Sequence, residues 1–128
     1  MADLLLVDDD GDIVEALAEL LRLEGHEVRT ARNGAEGLQA LHAAPLPDVV
    51  VLDVDMPVMG GPAMAHQMLL HDAGEEKIPV TLVSGRPDLP QIAARMGTPY
   101  FVPKGTDFDK FLNVLDRALR ERVAPSTA

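Results

Sequence analysis

Five side chains in this 128-residue sequence are of types that can work together on a phosphoryl group. They are the carboxylates of Asp8, Asp9 and Asp53, the hydroxyl of Ser84 and the ammonium of Lys104. They are far apart along the chain, but each sits at or near the end of a short apolar run: Leu4–Val7, Val49–Leu52, Val80–Val83 and Tyr100–Val102. If those runs end at one edge of a sheet, the three carboxylates share a cleft. Two such charges about 5 Å apart repel by roughly 3 kcal/mol at an effective dielectric of 20. Carboxylates crowded in this way must take up protons or hold a cation. One lysine does not balance three of them. An all-oxygen donor set open to water suits Mg²⁺, with Mn²⁺ as a substitute. Zinc is disfavoured, because the chain has no cysteine and its four histidines (His26, His42, His66, His71) lack metal-ligand spacing. Beside such an ion and an ammonium, a carboxylate can attack phosphorus and form an aspartyl phosphate. Ser84 can donate to a phosphoryl oxygen.

The elements between these residues decide whether they meet. Leu4–Val7 and Val49–Leu52 are continuous apolar runs of the kind buried on both faces of a sheet. A helix is expected over about 11–24, with the stripe Ile13, Ala16, Leu17, Leu20 and Leu21 and a stop at Gly25. His26–Ala31 reads as an edge strand. Asn33 should cap a helix over about 34–43 that turns Leu38 and Leu41 inward. Pro62 opens a third helix to about Asp72, and Gly74–Lys77 reads as a polar loop. Val80–Val83 is a strand, followed by a short helix over about 90–96 that stops at Gly97. Tyr100–Val102 is the last strand. Asp107–Arg122 is the last helix, with Phe108, Phe111, Leu112, Leu115 and Leu119 at helical spacing. Five strand–helix units predict an α/β fold: one doubly wound five-stranded parallel sheet with helices on both faces and right-handed crossovers. In such folds sites lie beyond the carboxyl ends of the strands, where these polar residues fall.

Composition narrows the functional classes. Net charge is −10, which disfavours direct binding to nucleic acid or to an anionic membrane. Hydrophobic residues at 47% and charged residues at 25% are globular proportions. No apolar run approaches a membrane span, and MADLLLVDDD meets its aspartates too early for a secretory signal. A cytoplasmic setting is expected, with one domain over 1–122, a tail over 123–128, and a monomer or weak dimer.

The segments LLLVDDDGDI (4–13), VVVLDVDMPVMGG (49–61), TLVSG (81–85) and YFVPKG (100–105) resemble, in order and spacing, the receiver domain of two-component response regulators. The resemblance spans nearly the whole chain and implies a flavodoxin-like fold. It implies Asp53 as phosphoacceptor and Asp8 and Asp9 as the acidic pair on Mg²⁺, with Asp55 giving its backbone carbonyl to the metal. Ser84 and Lys104 match the hydroxyl and lysine that bind the phosphoryl group, and Ser84 and Phe101 match the switch pair. A histidine kinase or phosphotransfer protein is the implied donor, and contact with an unknown downstream protein the implied output. The domain would be a phosphoacceptor, not a turnover enzyme, with only self-limited phosphotransfer and autodephosphorylation.

Two departures carry expectations of their own. The family has a proline after the lysine, whereas Gly105 follows Lys104 here. A trans bond and a reshaped loop are therefore expected. The segment from Ser84 to Lys104 is short, and its helix should be stunted. Asp55 and Arg86 each lie two residues past a site residue and should pair across the cleft, impeding the water that hydrolyses an aspartyl phosphate.

Other readings of the same residues stand beside these. Asp10 and Asp12 also suit a helix start, and Phe101 also suits plain core. A pseudo-receiver would keep the fold without being phosphorylated. A haloacid-dehalogenase-like phosphatase would use the paired aspartates of LDVDMP, but the chain lacks room for a cap and the Gly–Thr after that motif.

Overall fold

The computed structural model describes residues 2–43, 45–71 and 78–125. Strands and helices alternate as β1 (Asp3–Val7), α1 (Gly11–Leu23), β2 (Glu27–Ala31), α2 (Gly34–His42), β3 (Val49–Asp53), α3 (Gly61–His71), β4 (Val80–Ser84), α4 (Leu89–Met96), β5 (Phe101–Pro103) and α5 (Phe108–Glu121). The strands form one parallel sheet in the order β2-β1-β3-β4-β5, the flavodoxin-like arrangement. Register places Val7 beside Leu52, Asp53 beside Val83 and Ser84 beside Pro103. The polar residues that end β1, β3, β4 and β5 therefore share one edge. The loop expected at Gly74–Lys77 lies outside the described residues.

Side chains alternate across the pleat, so each central strand feeds two cores. Leu5, Val7, Val50, Leu52 and Leu82 pack beneath α2, α3 and α4 with Met64, Met68, Leu89 and Ile92. Leu4, Leu6, Val49, Val51 and Val102 pack beneath α1 and α5 with Leu21, Phe111 and Leu115. Each large apolar side chain buried this way contributes about 1.5–3 kcal/mol of transfer free energy. That is why the Leu4–Val7 and Val49–Leu52 runs have no polar member.

The helix ends follow local chemistry. Asp10, Asn33 and Asp107 accept the backbone N–H three residues on and so cap α1, α2 and α5. Gly97 closes α4 in the left-handed region at φ 73°, where a side chain is unfavourable. With eight residues, α4 is as short as expected. Gly105 is also left-handed, at φ 87°, and the Thr106 N–H reaches the Pro103 carbonyl at 3.2 Å, giving the lysine loop its tight turn.

The stripe expected on α1 needs correction. Val14, Ala18 and Leu21 face the sheet, while Ile13 and Leu20 remain 46% and 43% exposed. Two apolar stripes run side by side on this helix, Val14–Ala18–Leu21 and Ile13–Leu17–Leu20. The first faces the sheet, and of the second Leu17 is partly buried against the same core while Ile13 and Leu20 stay exposed. The second borders a groove of about 330 Å³ between α1 and α5.

Candidate phosphoacceptor cleft

Asp53 ends β3, the central strand, and is buried. Asp8 and Asp9 follow β1, its neighbour on one side. Ligand oxygens of Asp8, Asp9 and Asp53 all lie within 4.8 Å of one another. Asp8 is nearly buried, and its Oδ1 accepts the Asp10 N–H at 3.0 Å, which fixes the carboxylate at the start of α1. Asp9 is exposed and faces the opening. Behind Asp53 the chain turns tightly. The Gly61 N–H donates to the Val54 carbonyl at 2.9 Å, and a Cβ at Gly61 would collide with the Asp53 carbonyl.

Lys104 reaches in from the end of β5. Its Nζ stands 3.2 Å from Asp53 Oδ2 and 3.5 Å from Asp8 Oδ2. The Lys104 N–H donates to the Ser84 carbonyl at 2.9 Å, so β4 holds the lysine loop. Ser84 is buried, and its Oγ accepts the Arg86 N–H at 3.0 Å, leaving the hydroxyl proton free to be donated. Phe101 is partly buried on the face of the sheet that carries Leu82 and Ser84, packed against the α2–α4 core.

The charges do not balance. Burial, then the neighbouring Asp8 carboxylate, push the Asp53 carboxyl up to about 6, against the pull of Lys104. Burial opposes the charge on Lys104, but Asp8 and Asp53 outweigh it and hold the ammonium above its ordinary value. Asp53 is thus a largely ionised, poorly compensated carboxylate near neutral pH. The oxygen-only donor set of Asp8, Asp9 and Asp53 fits a hard divalent cation.

The expected pair at the rim is present. Arg86 Nη1 lies 3.3 Å from Asp55 Oδ1. Arg86 is also held in a fork by Asp88, with Nε to Oδ1 at 3.0 Å and Nη2 to Oδ2 at 3.1 Å. Hydrogen bonding to Arg86 holds the Asp88 carboxyl below its ordinary value. The Asp88 contact was missed by sequence reasoning, although the Arg–Pro–Asp order at 86–88 was a usable signal. The groove beside α1 was missed as well. It leads from Ile13, Leu17 and Leu20 past Phe108 to Asp8, Asp53 and Lys104.

Comparison with known proteins agrees with this geometry. The response regulator receiver domain family matches residues 4–116, and the chain belongs to that family. It is 32% identical over 121 residues to Protein PilH of Pseudomonas aeruginosa, covering 93% of this chain and 98% of that protein. It is 40% identical over 82 residues to the transcriptional regulatory protein PrrA of Mycobacterium tuberculosis, covering 64% of this chain and 34% of PrrA. The chain thus spans about a third of the length of that relative. Among solved structures, the receiver domain of NtrX from Brucella abortus superposes with a TM-score of 0.79 at 31% identity, over 92% of this chain and 98% of that one. Vibrio cholerae chemotaxis protein CheY4 superposes with a TM-score of 0.80 at 28% identity, over 91% and 98%. The domain is therefore a two-component signalling module. Among the described residues no helix is long and apolar enough to cross a membrane.

Proposed function

We propose that this receiver domain takes a phosphoryl group onto Asp53 in a Mg²⁺-dependent reaction and passes the signal on by protein contact. The observation that carries the reading is the gathering of Asp8, Asp9 and Asp53 oxygens within 4.8 Å, with the Lys104 ammonium as their paired cation among the described residues. Asp8, Asp9 and Asp53, with the Asp55 carbonyl, would hold the cation. A bound Mg²⁺ would supply positive charge that neutralises phosphoryl oxygens. The Asp53 Oδ attacks phosphorus as the bond from phosphorus to the donor atom (an imidazole nitrogen, or the acetate oxygen of acetyl phosphate) breaks and leaves its electron pair on that atom, while Lys104 and the Ser84 hydroxyl bind equatorial oxygens.

The donor is a histidine kinase or phosphotransfer protein. It has an approach along the α1–α5 groove, whose apolar side chains continue into the cleft. Phosphorylation then favours one of two arrangements of Ser84 and Phe101, a population shift that changes which partner docks. At net −10 the chain's own surface is unsuited to nucleic acid. The receiver domain is assigned to 1–122 and acts in the cytoplasm as a monomer or weak dimer. It turns over no external substrate.

Incubation with acetyl phosphate and Mg²⁺, followed by intact mass measurement, tests this. One phosphoryl adduct is expected, absent in Asp53→Asn and absent when the metal is chelated. No adduct in the wild-type protein under these conditions supports the pseudo-receiver reading instead. Release of phosphate from a generic monoester with turnover supports the phosphatase reading.

A further inference from the structure

Arg32 is the first residue past β2, and β2 lies along β1 with Ala31 opposite Val7. The Asp8 N–H donates to the Ala31 carbonyl at 3.1 Å, so Arg32 leaves the sheet at the same edge as the carboxylates. Its backbone is fixed by the start of α2. The Arg32 N–H donates to Glu36 Oε1 at 3.2 Å, while Asn33 Oδ1 accepts the Glu36 N–H at 2.9 Å, a variant of the capping box. The side chain then crosses to α1. A Cβ at Gly11 would stand 2.6 Å from Arg32 Nη1, 2.8 Å from Cζ and 2.9 Å from Nη2. The guanidinium therefore lies on the bare backbone of Gly11.

That is a poor seat for a cation on local grounds. Gly11 opens α1, and the amino end of a helix carries the positive end of its dipole. Among the described residues no hydrogen bond or ion pair engages the Arg32 guanidinium, whereas Arg22 and Arg29 spend theirs on backbone carbonyls. What surrounds it is negative. Asp10 and Asp12 flank Gly11 in the chain, and Asp9, one residue earlier, is exposed and lines the cleft. Arg32 is itself exposed. Its charge is not consumed by one carboxylate and acts through water on the whole acidic mouth.

We propose that Arg32, seated on Gly11, tunes what the cleft accepts: it opposes a lone divalent cation and favours the phosphoryl anion. This rests on the reading of Asp8, Asp9 and Asp53 as the cation site and of Asp53 as phosphoacceptor. A positive charge at the start of α1 repels a doubly charged cation held by Asp8 and Asp9. The same charge attracts a doubly charged phosphoryl donor. The two effects are opposite in sign, and both fade with salt because Arg32 is exposed. Arg32 acts by its field and not by contact, so it is a positioning residue and not a catalytic one. Gly11→Ala places a methyl group where the guanidinium lies. It moves the charge off α1 without removing it.

The test titrates Mg²⁺ into metal-free wild type, Arg32→Ala, Arg32→Lys and Gly11→Ala at low ionic strength, read by backbone amide NMR shifts. Arg32→Ala is expected to bind Mg²⁺ about threefold more tightly than wild type, the scale of one unit charge acting through water on a doubly charged ion. Gly11→Ala should fall between them, and Arg32→Lys should stay near wild type because the charge is kept. At saturating Mg²⁺, the acetyl phosphate concentration that gives half the maximal rate of adduct formation should rise about threefold in Arg32→Ala, with the maximal rate unchanged. Both differences should close in about 0.5 M NaCl. A residue that merely braced α1 against α2 would shift the two constants in the same direction or not at all. Equal or weaker Mg²⁺ binding by Arg32→Ala, or an unchanged dependence on acetyl phosphate, overturns the proposal while leaving the cation site in place. Wild-type Mg²⁺ affinity in Asp8→Asn overturns both, because the ion then binds elsewhere.

Discussion

At the carboxyl edge of the sheet three carboxylates share one ammonium, and the central one is held near 6 by burial and by its neighbour. At the amino edge similar side chains satisfy one another. The fully buried Tyr100 donates its hydroxyl to Glu121 Oε1 at 3.1 Å and accepts the Val123 N–H at 3.3 Å. Arg117 lies over the Tyr100 ring at 5.6 Å and also approaches Glu121. Arg122 reaches Asp48, whose other oxygen accepts the Asp3 N–H at 2.8 Å. The contrast is one of compensation. Charges that close on themselves fasten α5 to the sheet. Charges left in excess leave a carboxylate cluster whose repulsion a bound cation would relieve.

Removing the ammonium that contacts Asp8 and Asp53 should have the largest effect. Lys104→Ala is expected to slow adduct formation from acetyl phosphate by about a hundredfold, the usual cost of one preorganised electrostatic contact. A rate within a few-fold of wild type would mean that this edge is balanced by something other than Lys104.

The second effect is on stability against pH. The Asp53 carboxyl is raised from 3.8 to about 6, so the metal-free folded state holds a proton that the unfolded chain releases. Its contribution is complete below pH 3.8 and is lost as pH rises through about 6. Thermal denaturation of metal-free wild type should therefore lose stability relative to Asp53→Asn over that window. Millimolar Mg²⁺ should restore it at neutral pH by binding the folded state. A flat difference curve would show that the carboxyl edge carries no excess charge.

Much of this was legible in the sequence, for physical reasons. Strands buried on both faces admit no polar residue, so Leu4–Val7 and Val49–Leu52 announced themselves, and the aspartates that break them marked the site edge. The Asp55–Arg86 pair followed from equal spacing beyond neighbouring strand ends. On α1 the expected stripe of Ile13, Ala16, Leu17, Leu20 and Leu21 holds for Leu21 and in part for Leu17 but misses Val14 and Ala18, because two apolar stripes of the same period differ only in phase, and phase depends on where the sheet lies. The Tyr100 network was invisible because Glu121 and Val123 are more than twenty residues away. The Arg86–Asp88 fork has no long-range sequence signal, because which group the Asp88 carboxylate turns to depends on the local turn.

The closed network predicts a smaller, separable effect. Tyr100→Phe should cost about 1 kcal/mol of stability, a typical net hydrogen bond, without changing adduct formation. An altered rate of phosphorylation would join the two edges into one device. A comparable effect of opposite sign is expected at Thr81, which lies fully buried in β4 and whose Oγ1 finds no partner among the described residues. Thr81→Val should raise stability by about 1 kcal/mol, because an unpaired buried hydroxyl costs more than the methyl that replaces it. Chemical denaturation at a fixed pH measures both.

The most direct test identifies the residue that bears the phosphoryl group. Protein loaded with acetyl phosphate and Mg²⁺ can be reduced with borohydride, which converts an aspartyl phosphate to homoserine, and then read by tandem mass spectrometry. The account predicts homoserine at position 53 and at no other aspartate. Homoserine at position 8, 9 or 55 instead, or at no position despite a phosphoryl adduct on the intact protein, would contradict it.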